Sequence, residues 1–101
     1  MDKVEKQGYE SFKIDSDFVN VLVEDESIIL ANSSVIAVDK DGVDASSEVL
    51  DVSTLAVFGS KLVVRVRAGD EAHSPYKITF YAQTDLLNKW EIDVRLRIRE
   101  R

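Results

Sequence analysis

The stretch KWEIDVRLRIRER, residues 89–101, decides the fold. Trp90, Ile92, Val94, Leu96 and Ile98 alternate with Glu91, Asp93, Arg95, Arg97 and Arg99. Successive side chains of a strand point to opposite faces, so a period of two over this length predicts one long half-buried strand. The apolar set, Trp90 included, faces a core and the charged set faces water.

Working back along the chain, YKITFYAQ (76–83) repeats the alternation. Tyr76, Ile78, Phe80 and Ala82 fall on one side, Lys77, Thr79, Tyr81 and Gln83 on the other. KLVVRVRA (61–68) sets Leu62, Val64 and Val66 against Lys61, Arg65 and Arg67, with Val63 out of pattern. TDLLNK (84–89) carries turn residues at Asp85 and Asn88 and reads as the hairpin connection between the last two strands. The first half is less regular. SFKI (11–14) is a short strand, and FVNVLVE (18–24) reads as a strand with Val19, Val21 and Val23 on one face. SIILANSSVIAVD (27–39) is one long strand or two, bent near 32–34. EVLDVSTLAVF (48–58) supplies one or two more before a turn at Gly59-Ser60. No helical period competes. β-Branched content and close turn spacing predict an all-β, immunoglobulin-like antiparallel β-sandwich of about seven strands over residues 11–101. A polar, flexible lead over residues 1–10 precedes it.

Composition narrows the function classes. Hydrophobic residues make up 45% and charged residues 32% of 101, a balance suited to a globular domain that buries a core without staples. With no cysteine, disulfides and thiolate metal sites are excluded. The net charge of −6 is uneven: residues 1–60 hold 13 acidic and 4 basic residues, and residues 61–101 hold 6 and 9. Overall acidity argues against nucleic acid as the main ligand. The asymmetry reads first as charged, solvated faces that keep the chain soluble, with head-to-tail association through opposite patches as the alternative. No apolar run approaches the roughly 18 residues of a membrane helix. MDKVEKQGYE has no apolar segment of the kind a secretory signal needs.

One motif invites a metal. VDKDGVDASSE (38–48) places Asp39, Asp41, Gly42 and Glu48 at four spacings of an EF-hand loop, but the first ligand position falls on Ala37. Two apolar runs joined by Asp-Lys-Asp-Gly are better read as a hairpin turn, with Gly42 free to take a positive φ. No metal or other cofactor is expected. His73 is the only histidine and lies in a loop by composition, which argues against a multi-histidine metal site and against a Ser-His-Asp triad. Carboxylates at Asp15/Asp17 and Glu24/Asp25/Glu26 flank strand ends and read as charged turns. The row Arg95, Arg97, Arg99 reads first as a solvated strand face that discourages edge pairing, with contact to phosphate or an acidic partner as the alternative. Catalysis is not expected.

The second half also resembles a known family. LVVRVRAGDEAHSPYKITFYAQTDLLNKWEIDVRLRIRER (62–101) is similar to the C-terminal half of small phage and prophage fibre–tail adaptor proteins. Those proteins have a turn of the form S-G-G-T-A-G-T-x-Y and end in a strand like S-I-x-I-R-V-R-E-R. Gly69, Ala72 and Tyr76 fall at the matching spacing, and the chain ends RLRIRER. SFKIDSDFVNVLVED (11–25) and SSVIAVDKDGV (33–43) resemble upstream segments. Asp70 and His73 stand where the family has glycine, and Ile36 where it has tryptophan.

The resemblance implies a virion structural part, made in the bacterial cytoplasm and working by protein–protein contact. Other phage tail or virion proteins would be its partners, and a homo-oligomer is one form of such assembly. Nucleic acid and membrane are not expected. The implied contact regions are the lead, the loop 69–75 and the outward row of the last strand, with Asp70, Glu71, His73, Arg95, Arg97 and Arg99 as contact residues. The alternative is an immunoglobulin-like adhesion or carbohydrate-binding module. That reading needs an exposed aromatic platform, for which Tyr9 and Tyr81 are the candidates.

Overall fold

Seven strands and one α-helical turn are the main elements of the computed structural model, which describes residues 2–6, 11–69 and 71–98. In chain order they are β1 (Asp2–Lys6), β2 (Phe12–Asp17), β3 (Ser34–Val38), α1 (Ser46–Val49), β4 (Leu50–Phe58), β5 (Lys61–Val66), β6 (Tyr76–Gln83) and β7 (Lys89–Ile98). They form two sheets, ordered β1-β7-β6-β3 and β2-β5-β4. With β3-β6-β7 in one layer and β2-β5-β4 in the other, the order is that of an immunoglobulin-like sandwich.

The three strands with the clearest alternation behave as their patterns dictate. Leu62, Val64 and Val66 of β5, Tyr76, Ile78 and Phe80 of β6, and Val94, Leu96 and Ile98 of β7 are all buried between the sheets. Each such aliphatic side chain contributes roughly 1.5–3 kcal/mol on leaving water. The hairpin at TDLLNK is present: β6 and β7 pair antiparallel from Tyr76↔Leu96 to Gln83↔Lys89. The stretch 27–39 is broken rather than continuous. Ile28 bridges to Thr84, a single 3-10 turn covers Leu30–Asn32, and β3 starts at Ser34.

Four features differ from the sequence expectation. Within the expected lead over residues 1–10, positions 2–6 form β1, which pairs parallel with β7 from Asp2↔Val94 to Lys6↔Ile98. The sheet is therefore mixed rather than wholly antiparallel. The strand expected over 18–24 is a loop. Asp17 Oδ1 accepts from Val19 N, and the Phe18 carbonyl accepts from Val21 N and Leu22 N, which curls the chain. Phe18 alone is pulled fully into the core, while Val19, Val21 and Val23 are left exposed. Trp90, expected in the core, is 37% exposed. It opens β7 opposite Ala82, near the end of the sheet. Finally, β4 slips register between Asp51 and Ala56. Thr54 Oγ1 donates to the Asp51 carbonyl and accepts from Arg65 N, standing in for the interrupted ladder.

Candidate functional site

The ends of the sandwich, rather than its faces, carry the unusual chemistry. At one end lie the turn 39–42, the loop 67–75 and the close of β7. At the other lie the loop 18–29, the turn 59–60 and the turn 84–88.

The first end is built from tight local bonds. Asp39 Oδ1 accepts from Asp41 N and Val43 N, and Gly42 N donates to the Asp39 carbonyl with Gly42 at φ +82°. Val38 bridges to Asp44, and Ala45 N donates to the Ala37 carbonyl. The expected hairpin turn is what forms here, and the Asp39 carboxylate is turned onto backbone N–H groups. Asp44 in turn accepts from Ser46 N and Ser46 Oγ, which hold its carboxyl below the ordinary range.

The loop 67–75 is fastened over the end of β7. Ile98 N donates to Ser74 Oγ at 2.9 Å, Ser74 N donates to the Glu71 carbonyl, and Lys40 N donates to the His73 carbonyl. Gly69 passes so close to β7 that a Cβ there would lie 2.6 Å from Ile98 Cδ1, and its φ of +150° suits glycine alone.

This fastening brings three of the expected contact residues together. Glu71, Ser74, Pro75, Arg95, Arg97 and Ile98 line an open depression of about 410 Å³. A second depression, of about 480 Å³, shares Pro75 and Arg95 and is walled by Val38, Asp39, Lys40, Gly42, Tyr76 and Lys77. His73 lies at the same end, in the turn Glu71–His73, and meets the neighbouring loop through its carbonyl. Asp70 and Arg99 lie outside the described residues.

Sequence reading missed Lys40 and Lys77, which make this groove cationic. Strand register explains the concentration. Lys77 pairs with Arg95 across β6 and β7, and Arg95 pairs with Lys3 across β7 and β1. Lys77 and Arg95 therefore stand directly opposite each other across the sheet, an arrangement that like-charge repulsion disfavours. One row away the sheet satisfies itself: Thr79 Oγ1 donates to Asp93 Oδ1 at 2.7 Å, and Thr79 is 3% exposed although it points away from the core. Only pairing reveals the cation pair, because its members are far apart in sequence.

The other end is apolar and acidic. Glu26, 8% exposed, accepts from Thr84 Oγ1, Val23 N and Asn88 Nδ2, and these bonds lower its pKa, that from Thr84 foremost. Ser27 N donates to Asp85 Oδ1, which ties the loop 18–29 to the β6–β7 turn. Asp17 accepts from Ser60 Oγ and Val19 N, so its carboxyl too is lowered. Val19, Val21, Val23, Phe58, Leu86 and Leu87 are exposed around these anchors.

Among the described residues no group of three or more His, Cys, Asp or Glu is placed to hold a metal ion, and no helix is long and apolar enough to cross a membrane. No protein-family model matches the chain, and no curated protein sequence matches it.

Proposed function

We propose that the chain is a phage or prophage virion structural protein, a tail or fibre–tail adaptor that acts by protein–protein contact and not by catalysis. The reading begins from the likeness of residues 62–101 to that family. The observation that carries it further is the cationic groove, where Glu71, Arg95 and Arg97 converge with Lys40 and Lys77 around Pro75. A shallow, open, charged depression suits a protein edge or loop better than a small enclosed ligand. The test is prophage induction in the bacterium that carries the gene, followed by density banding of particles and mass spectrometry. The chain should co-band with tails. Its presence in the lysate but absence from particles would overturn the reading.

One observation favours the adhesion or carbohydrate-binding alternative. Tyr81 and the partly exposed Trp90 contribute, with Asn32, Gln83, Lys89 and Glu91, to a depression of about 380 Å³. Titration with mono- and oligosaccharides, followed by tryptophan fluorescence and by amide shifts at these residues, tests it. Unmoved signals would remove it.

A further inference from the structure

We propose that two copies of this chain meet head to tail, the β6–β7 turn of one copy seating in the cationic groove of the next. The inference rests on reading that groove as a protein-docking surface and names its occupant.

The turn is a knob that neither the fold nor turn chemistry accounts for. Leu87 is 77% exposed, the most exposed large apolar residue described, and Leu86 beside it is 53% exposed. Leu87 also holds φ +65°. Turns needing a positive φ are normally filled by Gly, Asn or Asp, because a side chain with a Cβ is strained there. The turn is nonetheless well held. Thr84 Oγ1 accepts from Leu86 N and Asn88 N, and Leu87 N donates to the Thr84 carbonyl. A leucine in this strained position, presented to water on a rigid turn, is explained by burial against something else.

Charge selects the occupant. Asp85 lies in the turn itself, and exposed Glu24 and Asp25 sit in the loop that Glu26 and Ser27 tie to that turn, with Lys89 as the adjoining cation. The groove at the opposite end offers Lys40, Lys77, Arg95 and Arg97 against Glu71 and Asp39, whose Oδ1 is taken up by backbone N–H groups, with Pro75 and Val38 supplying apolar wall. An apolar knob with an acidic flank thus meets a depression with an apolar wall and a cationic rim. Eight-residue β6 separates the two surfaces by roughly 26 Å at 3.3 Å per residue. One molecule can therefore offer both at once, and the contact is heterologous, giving a ring if it closes and a filament if it does not.

Sedimentation velocity across a wide concentration range tests the proposal, using the full chain and two variants. The knob variant carries Leu86→Ser and Leu87→Asn, since asparagine tolerates the left-handed backbone. The groove variant carries Lys77→Glu and Arg95→Glu. Circular dichroism and thermal melting verify that both fold. The wild type should self-associate, less so as salt is raised. Each variant alone should associate about tenfold or more weakly, the loss expected when interface anchors are removed. An equimolar mixture should recover a discrete one-to-one pair, because each variant keeps one intact half. A wild type that stays monomeric overturns the self-contact while co-banding with particles still decides the virion reading. Variants that associate like the wild type, or that remain monomeric when mixed, overturn it as well.

Discussion

Replacing Lys77 by glutamate is expected to stabilise the fold while removing part of the groove's charge. Lys77 lies directly opposite Arg95, with uncharged Val38 on its other side, so K77E breaks no directly opposite ion pair. The diagonal neighbours on β7 are Asp93 and Arg97, and Asp93 is already engaged by Thr79. A like-charge pair directly opposite costs about as much as an opposite-charge pair contributes, roughly 0.2–1 kcal/mol. Reversing one member recovers both, about 1 kcal/mol in all. For a domain of this size that corresponds to a rise in Tm of about 4–8 °C. R95E reverses the other member of the same pair and should gain by the same mechanism. The assay is urea and thermal unfolding of wild type, K77E, K77Q and R95E in low salt and in about 1 M salt, where screening acts within about 3 Å. The gains of K77E and R95E should both exceed that of K77Q and shrink together in high salt. A K77E protein that is less stable than wild type, or whose gain is indifferent to salt, would refute the cation pair.

Three further outcomes follow from individual sites. G69A should lose about 1–3 kcal/mol in urea unfolding, because the new Cβ meets Ile98 Cδ1 at 2.6 Å and the φ of +150° is strained; wild-type stability would show that the loop is not clamped on β7. Glu26 and Asp17 have lowered pKa values through the hydrogen bonds they accept. Their stabilisation is present above the unfolded carboxylate range and is lost as pH falls through the lower folded values. E26Q should therefore be less stable than wild type at neutral pH, and its Tm should fall less between about pH 6 and about pH 3; parallel curves for the two proteins would contradict this. S16A should be neutral or stabilising by up to about 1 kcal/mol, since Ser16 Oγ is buried with no hydrogen-bond partner; a clear loss of stability would mean that the hydroxyl is satisfied.

The second half of the chain was legible because there the period of two and the burial agree over most of three strands, Thr79 and Trp90 being the exceptions. Leu62, Val64 and Val66 alternate in sequence and are fully buried in β5, and Tyr76 through Ala82 do the same in β6. The stretch 18–24 carries the same pattern and is not a strand. Its valines have no facing sheet to pack against, and Asp17 and Phe18 offer the backbone local turn bonds instead. A strand needs a partner, and periodicity does not name one. Trp90 fails for a related reason, since alternation assigns a face but not a position along the strand. The groove was legible in part. Glu71, Arg95 and Arg97 were expected as contact residues, whereas Lys40 and Lys77 join them only through hairpin closure and strand register.

Both conspicuous surfaces break a local rule of the element that carries them. A like-charge pair directly opposite across β6 and β7 works against the sheet, and a leucine in the left-handed region works against its turn. The surroundings hold both firmly: Ser74 and Gly69 fix the loop over β7, and Thr84 and Glu26 fix the β6–β7 turn. Rigid support under a locally unfavourable choice is the pattern expected where a surface is kept for a partner, because preorganisation lowers the ordering cost of binding. The two surfaces share one scaffold element. β6 and β7 end in the knob at one end and beside the groove at the other, so their register sets the distance and the rotation between them. A one-residue slip in that pairing would turn the cations of β7 inward and its apolar set outward. The core that specifies the register therefore also specifies how knob and groove are presented, and a substitution that loosens β6 against β7 should disturb contacts at both ends together.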